Sequence, residues 1–362
     1  MHNICFLVHN CADYGGVEKV ASNIANELSK KHTVYVASVI NDGRPNRLFL
    51  KNDIKVTKFI PAGLRLREQQ AKLFGPLRKY LKENRIDVLI IMGHYSGFLA
   101  APVRLFTKSK FVFCDHGAIM NQWDDLKNRT MRTIASKACD ITVTLTERSR
   151  NDYIKRLHIK PERIRCIYNW IAPELIEPVK YDINSKRVLS VGRLGEEKGF
   201  DLLIKIFSKV VEKHPDWHLD IYGDGTEYER LVSEIRQKEL DSNIHMMGMD
   251  PDVISKYDQY SLYALPSYKE GLPLVLLEAK AKGLPIVSFD ILTGPKEIVQ
   301  EGVNGFLIPP YDIDAFADSI CRLIDEPEMR VSMSNHAKDN IGKFEKTTIF
   351  RQWELLIEGV LR

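Results

Sequence analysis

The chain has 362 residues, 44% of them hydrophobic and 28% charged, with a formal net charge of +4. That is enough apolar material for two or three domains with sizeable cores, and it excludes a low-complexity chain. No run of eighteen apolar residues occurs, which argues against a transmembrane helix. Six scattered cysteines without a C-x-x-C pair argue against a disulfide framework or a zinc site, and point to reduced thiols in the cytoplasm.

In chain order, the first apolar run, 3–8, lacks a basic leader and a cleavage site, so it reads as a strand and not a signal peptide. It leads into a loop in which Gly15 and Gly16 precede a helix. Adjacent glycines let main chain approach a phosphate closely. The G-x-G-x-x-G pattern is absent, which disfavours a dehydrogenase-type dinucleotide site. Further strands are predicted at 33–38, 88–92, 110–114, 141–145 and 164–168, alternating with helical patterns.

Between the strands at 33–38 and 88–92, Arg65, Arg67, Lys72, Arg78, Lys79, Lys82 and Arg85 interleave with Leu64, Leu66, Leu73, Phe74, Leu77 and Leu81. Residues 1–170 carry a net charge of +14 and the remainder −10. The basic stretch reads as an amphipathic surface lying on anionic lipid, at the inner face of the cytoplasmic membrane. An ordinary surface helix with a solvated face is the alternative. No nucleic-acid motif appears, so no nucleic-acid partner is expected. His94 follows the 88–92 strand and His116 the 110–114 strand, each in a loop beyond a strand end. Residues 169–185 lack helical periodicity and contain Pro173 and Pro178, marking a domain boundary.

The second half repeats the alternation, with strands at 187–191, 218–222, 244–246, 261–265, 285–289 and 305–308. Two such sets predict an α/β architecture of two doubly wound domains. Arg193 and Lys198 flank a glycine-rich turn before a helix at 200–211; a guanidinium fork and a compact ammonium both suit a diphosphate. A pairing of Lys198 with Glu196 or Glu197 is the competing reading. Pro273 is expected at the first helical position, with Glu270 in the preceding loop and Glu278 on the second turn. The N–H groups of a helix start lie between these carboxylates, an anion site. A ligand with hydroxyls at each end and phosphate in the middle fits. Asp312 opens a helix and reads as an N-cap, not half of a metal-binding D-x-D.

Glu270 and Glu278, with seven residues between them, and Gly294-Pro295-Lys296-Glu297-Ile298-Val299 and Gly302-Val303-Asn304-Gly305-Phe306-Leu307-Ile308 downstream, resemble the retaining GT-B glycosyltransferases of family 4 (group 1 type). The resemblance covers nearly all of the C-terminal half and the first loop of the N-terminal one. It implies two Rossmann-like domains facing a central cleft. Residues 1–172 would bind acceptor, 184–345 would bind nucleotide-sugar, and a terminal helix, 346–362, would cross back to the first domain. It implies retaining, metal-independent transfer of a hexose from a nucleoside diphosphate sugar, taken as a UDP-sugar, without a cofactor. The acceptor would be a saccharide or lipid-linked saccharide in cell-surface polysaccharide or lipopolysaccharide biosynthesis.

The resemblance also implies roles. Arg193 and Lys198 hold the diphosphate, Glu270 binds the transferred sugar and Glu278 the ribose. Gly271 and Leu272 offer amides to sugar and phosphate, and the turn at Met249 reads the base. Gly15 and Gly16 face the diphosphate, and His116 touches the sugar near its reacting carbon. His94 and Asn121 are the acceptor candidates. Two other readings share the architecture: a non-hydrolysing nucleotide-sugar epimerase, which needs further carboxylates, and a noncatalytic nucleotide-sugar-binding subunit, which has no need of Glu270, Arg193 or Lys198.

Overall fold

The computed structural model describes residues 1–13, 15–51, 53–176 and 181–362. Of the boundary segment, residues 177–180, Pro178 among them, lie outside the described residues. The chain forms two compact units. The first comprises Met1–Asn169 with Thr347–Arg362, the second Trp170–Lys346.

In the first unit β1 (Asn3–Val8), β2 (Thr33–Asn41), β3 (Val56–Pro61), β4 (Val88–Met92), β5 (Lys110–Asp115), β6 (Ile141–Thr144) and β7 (Ile164–Cys166) form one parallel sheet in the order β3-β2-β1-β4-β5-β6-β7. In the second, β8 (Arg187–Val191), β9 (His218–Tyr222), β10 (Ile244–Gly248), β11 (Leu262–Leu265), β12 (Ile286–Phe289) and β13 (Gly305–Ile308) run parallel in the order β10-β9-β8-β11-β12-β13. Strands covered on both faces read as unbroken apolar runs. Val88-Leu89-Ile90-Ile91-Met92 is such a run, and all five residues are buried.

Sequence reasoning missed β3. Val56-Thr57-Lys58-Phe59-Ile60-Pro61 mixes polar and apolar residues, and only Ile60 is fully buried. It is an edge strand, defined by its pairing with β2 and not by burial. The leucines of the basic stretch also turn inward. On the helix Leu66–Glu83, Leu73, Leu77 and Leu81 recur every four residues and lie in the unit's own core. They are therefore unable to serve as its lipid-facing side.

Each sheet reverses direction once. The chain winds outward from β1 to β3, then restarts beside β1 with β4; in the second unit it winds from β8 to β10, then restarts beside β8 with β11. Such switch points open a crevice beyond the strands' carboxyl ends, the general ligand position of open α/β sheets. The helices that close these crossovers are amphipathic at the expected spacing. On Phe200–Lys213, the buried residues include Phe200, Leu203, Ile204, Phe207 and Val210. Each such large side chain, fully buried, stabilises by about 1.5–3 kcal/mol.

The last helix, Lys346–Leu361, buries Ile349, Trp353, Leu356, Ile357 and Val360 on one stripe. It meets the first unit at Lys31, whose Nζ lies 2.5 Å from Glu354 and 5.7 Å from the Phe350 ring centre. Within the second unit Ile171 N–H donates to the Phe344 carbonyl at 2.9 Å, so the outgoing and returning segments run side by side there.

Candidate functional site

The second unit places its candidate residues on the two loops at its switch point. The β8 loop runs through Gly192–Gly199 and the β11 loop through Pro266–Pro273. Main chain ties them together, because Tyr268 N–H donates to the Glu197 carbonyl at 2.9 Å. Gly199 permits the approach. Its φ is +66°, and a Cβ there would sit 2.2 Å from the Pro266 carbonyl oxygen. Gly294, at φ +101°, does the same from the β12 loop, where a Cβ would lie 2.7 Å from Pro273 Cδ and 2.9 Å from the Gly271 carbonyl oxygen.

This packing brings Lys198 and Glu270 into contact. Lys198 Nζ donates to Glu270 Oε1 at 2.7 Å, and Ser267 Oγ donates to the same oxygen at 2.7 Å. Thr293 Oγ1 donates to the Glu270 carbonyl at 2.7 Å. Glu270 is only 8% exposed, so its charge requires this company. The reading that paired Lys198 with Glu196 or Glu197 is corrected, since Glu197 instead accepts from Arg193 at 2.5 Å. Burial opposes ionisation of Glu197, yet the Arg193 hydrogen bond, a main-chain hydrogen bond and the Arg193 and Lys198 charges together hold the carboxyl below its usual range. Arg193 itself projects into solvent, 74% exposed.

Pro273 caps the helix Leu274–Ala281 and is not its first residue, because its ψ of 112° is extended. Leu276 and Leu277 N–H donate to the Pro273 carbonyl at 3.1 and 3.4 Å, and the amides of Leu274 and Val275 precede the first such bond of the helix. Glu278 lies one turn on and accepts from Tyr257 OH at 3.3 Å. Tyr257 stacks on Tyr263, whose hydroxyl in turn accepts from Val191 N–H at 3.2 Å. Leu272 is buried. Met249 is 68% exposed and follows Gly248, which has φ +71° at the end of β10.

The first unit collects its candidates at its own switch point. Gly15 caps the helix Gly16–Leu28 in extended conformation. A Cβ on Gly15 would meet the Glu18 carboxylate at 2.9 Å, whereas one on Gly16 would meet nothing within 4 Å. Beyond β4, His94 Nε2 donates to Asn128 Oδ1 at 2.8 Å, and Asn128 Nδ2 donates to Asp125 at 2.6 Å. The His94 ring lies 4.9 Å from Tyr95, Tyr95 lies 5.8 Å from His9 beyond β1, and Lys127 Nζ stands 5.5 Å over the Tyr95 ring. Beyond β5, the His116 Nε2 and, beyond β1, the His9 Nδ1 are buried without a hydrogen-bond partner among the described residues.

Burial pushes the His116 imidazole down to about 4. Burial also lowers His94, with the Arg132 charge adding to it, and lowers His9 against the pull of Asp13. All three rings are thus held toward the neutral form. The loop carrying His116 and Asn121 is pinned from below. Asp115 accepts from Arg132 at 3.0 Å, Tyr153 OH at 2.7 Å and Gly117 N–H at 3.2 Å, and Arg132 also donates to Gln122 at 2.7 Å.

Sequence reasoning missed His9, Tyr95, Lys127 and Arg132 in the first unit, and Ser267, Thr293 and Tyr257 in the second. None stands in a pattern that marks it. They are found only because the folded sheet brings separate strand ends together.

The second unit's loops thus offer cations, carboxylates and a helix start to an anionic, hydroxylated ligand. The first offers neutral imidazoles and an aromatic face. The family described as "Glycosyl transferases group 1" matches residues 173–340, and "Glycosyltransferase Family 4" matches residues 14–175. An uncharacterized glycosyltransferase of Haemophilus influenzae is 31% identical over 98% of this chain and 99% of its own length. The amylovoran biosynthesis glycosyltransferase AmsD of Erwinia amylovora is 28% identical over 98% of this chain and 99% of its own. Among solved structures, Anabaena HepE in complex with UDP-glucose shares the fold with a TM-score of 0.84. It covers 99% of this chain and all of that one, at 20% identity. The chain belongs to the group 1 glycosyltransferases and has the GT-B fold.

Proposed function

We propose that the protein transfers a hexose, with retention, from UDP-sugar to a saccharide or lipid-linked saccharide acceptor in the assembly of a cell-surface polysaccharide. The observation that carries this reading is the Lys198–Glu270 contact. It joins a cation suited to diphosphate and a carboxylate suited to sugar hydroxyls in one part-buried pair, which supports a role on the two sides of the scissile bond. UDP-glucose in the Anabaena neighbour and the polysaccharide named for the Erwinia relative support the donor and product class. The excess positive charge of residues 1–170 favours an anionic, phosphate-bearing acceptor.

In this reading Arg193, Lys198 and the first turn of Leu274–Ala281 stabilise the negative charge that develops on the departing nucleoside diphosphate. The oxygen of the departing phosphate takes the acceptor proton on the face where the new bond forms, which preserves configuration. Glu270 orients the sugar and Glu278 the ribose. His116, held neutral, offers an uncharged imidazole to the sugar, and His94 and Asn121 contact the acceptor. These two cations, Arg193 and Lys198, supply the charge support that a divalent ion would otherwise give.

A panel of nucleotide-sugars with mass-spectrometric readout tests the reading. Slow release of UDP and free sugar without acceptor, unaffected by a chelator, is the expected result. Interconversion of the sugars, or a strict requirement for a divalent ion, overturns it.

A further inference from the structure

We propose that the first unit docks on an anionic phospholipid bilayer through an apolar knob formed by Leu105 and Phe106, which packs on the cation-rich helix Leu66–Glu83. This inference rests on the first unit alone and is independent of the donor chemistry.

Leu105 is 83% and Phe106 55% exposed, and they are consecutive at the end of the 3-10 turn Ala101–Phe106. Nothing in the fold uses their outer surfaces, yet the knob is held firmly from behind. Phe106 meets Phe74 edge-on at 5.3 Å, and Arg78 Nε donates to the Phe106 carbonyl at 3.3 Å. Arg104 makes a two-pronged bond to Asp140, 2.7 Å on each arm. An apolar tip fixed in this way loses little conformational freedom on burial.

The helix on which the knob packs is cationic. Arg67, Lys72, Arg78, Lys79 and Lys82 are exposed on the adjoining helix, and Lys108 lies two residues past Phe106. The helix carries two acids, Glu68, which caps its start, and Glu83, 3.7 Å from Lys79. Because Leu73, Leu77 and Leu81 are committed to the core, the apolar contribution at this surface falls to Leu105 and Phe106. Two side chains are too few for a stable protein interface, which needs about 800 Å² from each partner. A bilayer interface asks only for a shallow apolar insertion within a field of positive charge. The occupant that matches both is a membrane rich in anionic headgroups.

The test is co-sedimentation of the full chain with phosphatidylcholine vesicles, with and without phosphatidylglycerol. Binding is expected only to the anionic vesicles and is expected to weaken in high salt. The double variant Leu105→Ser/Phe106→Ser should lower partitioning at least about 10-fold, and Lys72→Gln/Lys79→Gln should lower it as well, both with wild-type melting temperatures. Leu105→Trp should shift its emission to the blue when anionic vesicles are added. Absent or salt-insensitive binding, undiminished partitioning of the double serine variant, or an unshifted tryptophan each overturns the proposal. So does a dimer in sedimentation velocity that the serine variant dissolves, which would assign the knob to a second copy.

Discussion

Replacing Glu270 by Gln and Lys198 by Met, singly and together, measures how far the two donor-side loops act as one unit. The charged atoms are 2.7 Å apart, Glu270 is 8% and the Lys198 side chain 24% exposed. At an effective dielectric of 20 the bare attraction is about 6 kcal/mol, most of which is cancelled by desolvation of the two groups. A net coupling of about 1–3 kcal/mol is therefore expected. Glu270→Gln alone should destabilise by a similar amount, because it leaves the Lys198 ammonium and the Ser267 hydroxyl facing a weaker acceptor. The assay is urea unfolding of all four proteins, with donor turnover measured in parallel. Each single variant should turn over at least about 100-fold more slowly, equivalent to about 2.7 kcal/mol of transition-state support. The double variant should be slowed by clearly less than the product of the single effects, since the pair is lost with either member. A coupling below about 0.3 kcal/mol, or near-normal turnover in either single variant, would refute the argument.

Arg193→Ala should leave unfolding free energy within about 0.5 kcal/mol of wild type, because its ion pair with Glu197 lies at the exposed surface. It should still slow donor turnover at least about 10-fold, and unchanged turnover would remove Arg193 from the site. Gly199→Ala should cost about 3 kcal/mol in urea unfolding, from the positive φ and the clash with the Pro266 carbonyl, and should displace the loop that holds Lys198. A stability equal to wild type would show that the two loops are not held at that point. For His116, whose folded value is about 4 against an ordinary 6.5, the unfolded chain binds the proton first. Its contribution is complete above pH 6.5 and is lost as pH falls toward 4, at up to about 1.4 kcal/mol per pH unit. Unfolding measured across that window should be less steep in His116→Asn; identical slopes would show that the ring is not kept neutral.

The proposed donor side could be named from the sequence because its candidate residues lie in contiguous segments. Arg193 and Lys198 flank one turn, and Glu270 and Glu278 bracket one helix start. What the sequence does not carry is the pairing between segments. Lys198 and Glu270 stand 72 positions apart, and their contact exists because β8 and β11 are neighbours at a switch point. The first unit was less legible for the same reason. His9, Tyr95 and His116 come from three loops, and each alone looks like any polar residue beyond a strand. β3 escaped because an edge strand needs no continuous apolar run. The leucines of Leu66–Glu83 were read correctly as one face of a helix, but periodicity cannot say whether that face meets core or lipid.

The two donor-side cations have different electrostatic settings, and this separates their proposed tasks. Arg193 is bound to Glu197 at the surface, where an ion pair contributes little, so it can exchange that carboxylate for a diphosphate at small cost. Lys198 is bound to a nearly buried Glu270, and losing that partner would strand a carboxylate away from water. It therefore gains a phosphate contact only while keeping Glu270. On the proposed reading Arg193 captures the donor, and its effect should be screened by salt. Lys198 positions the donor against the carboxylate that grips the sugar, and its effect should resist salt. Comparing donor KM and kcat of Arg193→Ala and Lys198→Ala at low and high ionic strength separates the two. The arginine variant should lose mainly KM, with a deficit that shrinks in salt. The lysine variant should lose mainly kcat, with a deficit that does not, and identical salt responses would contradict the division.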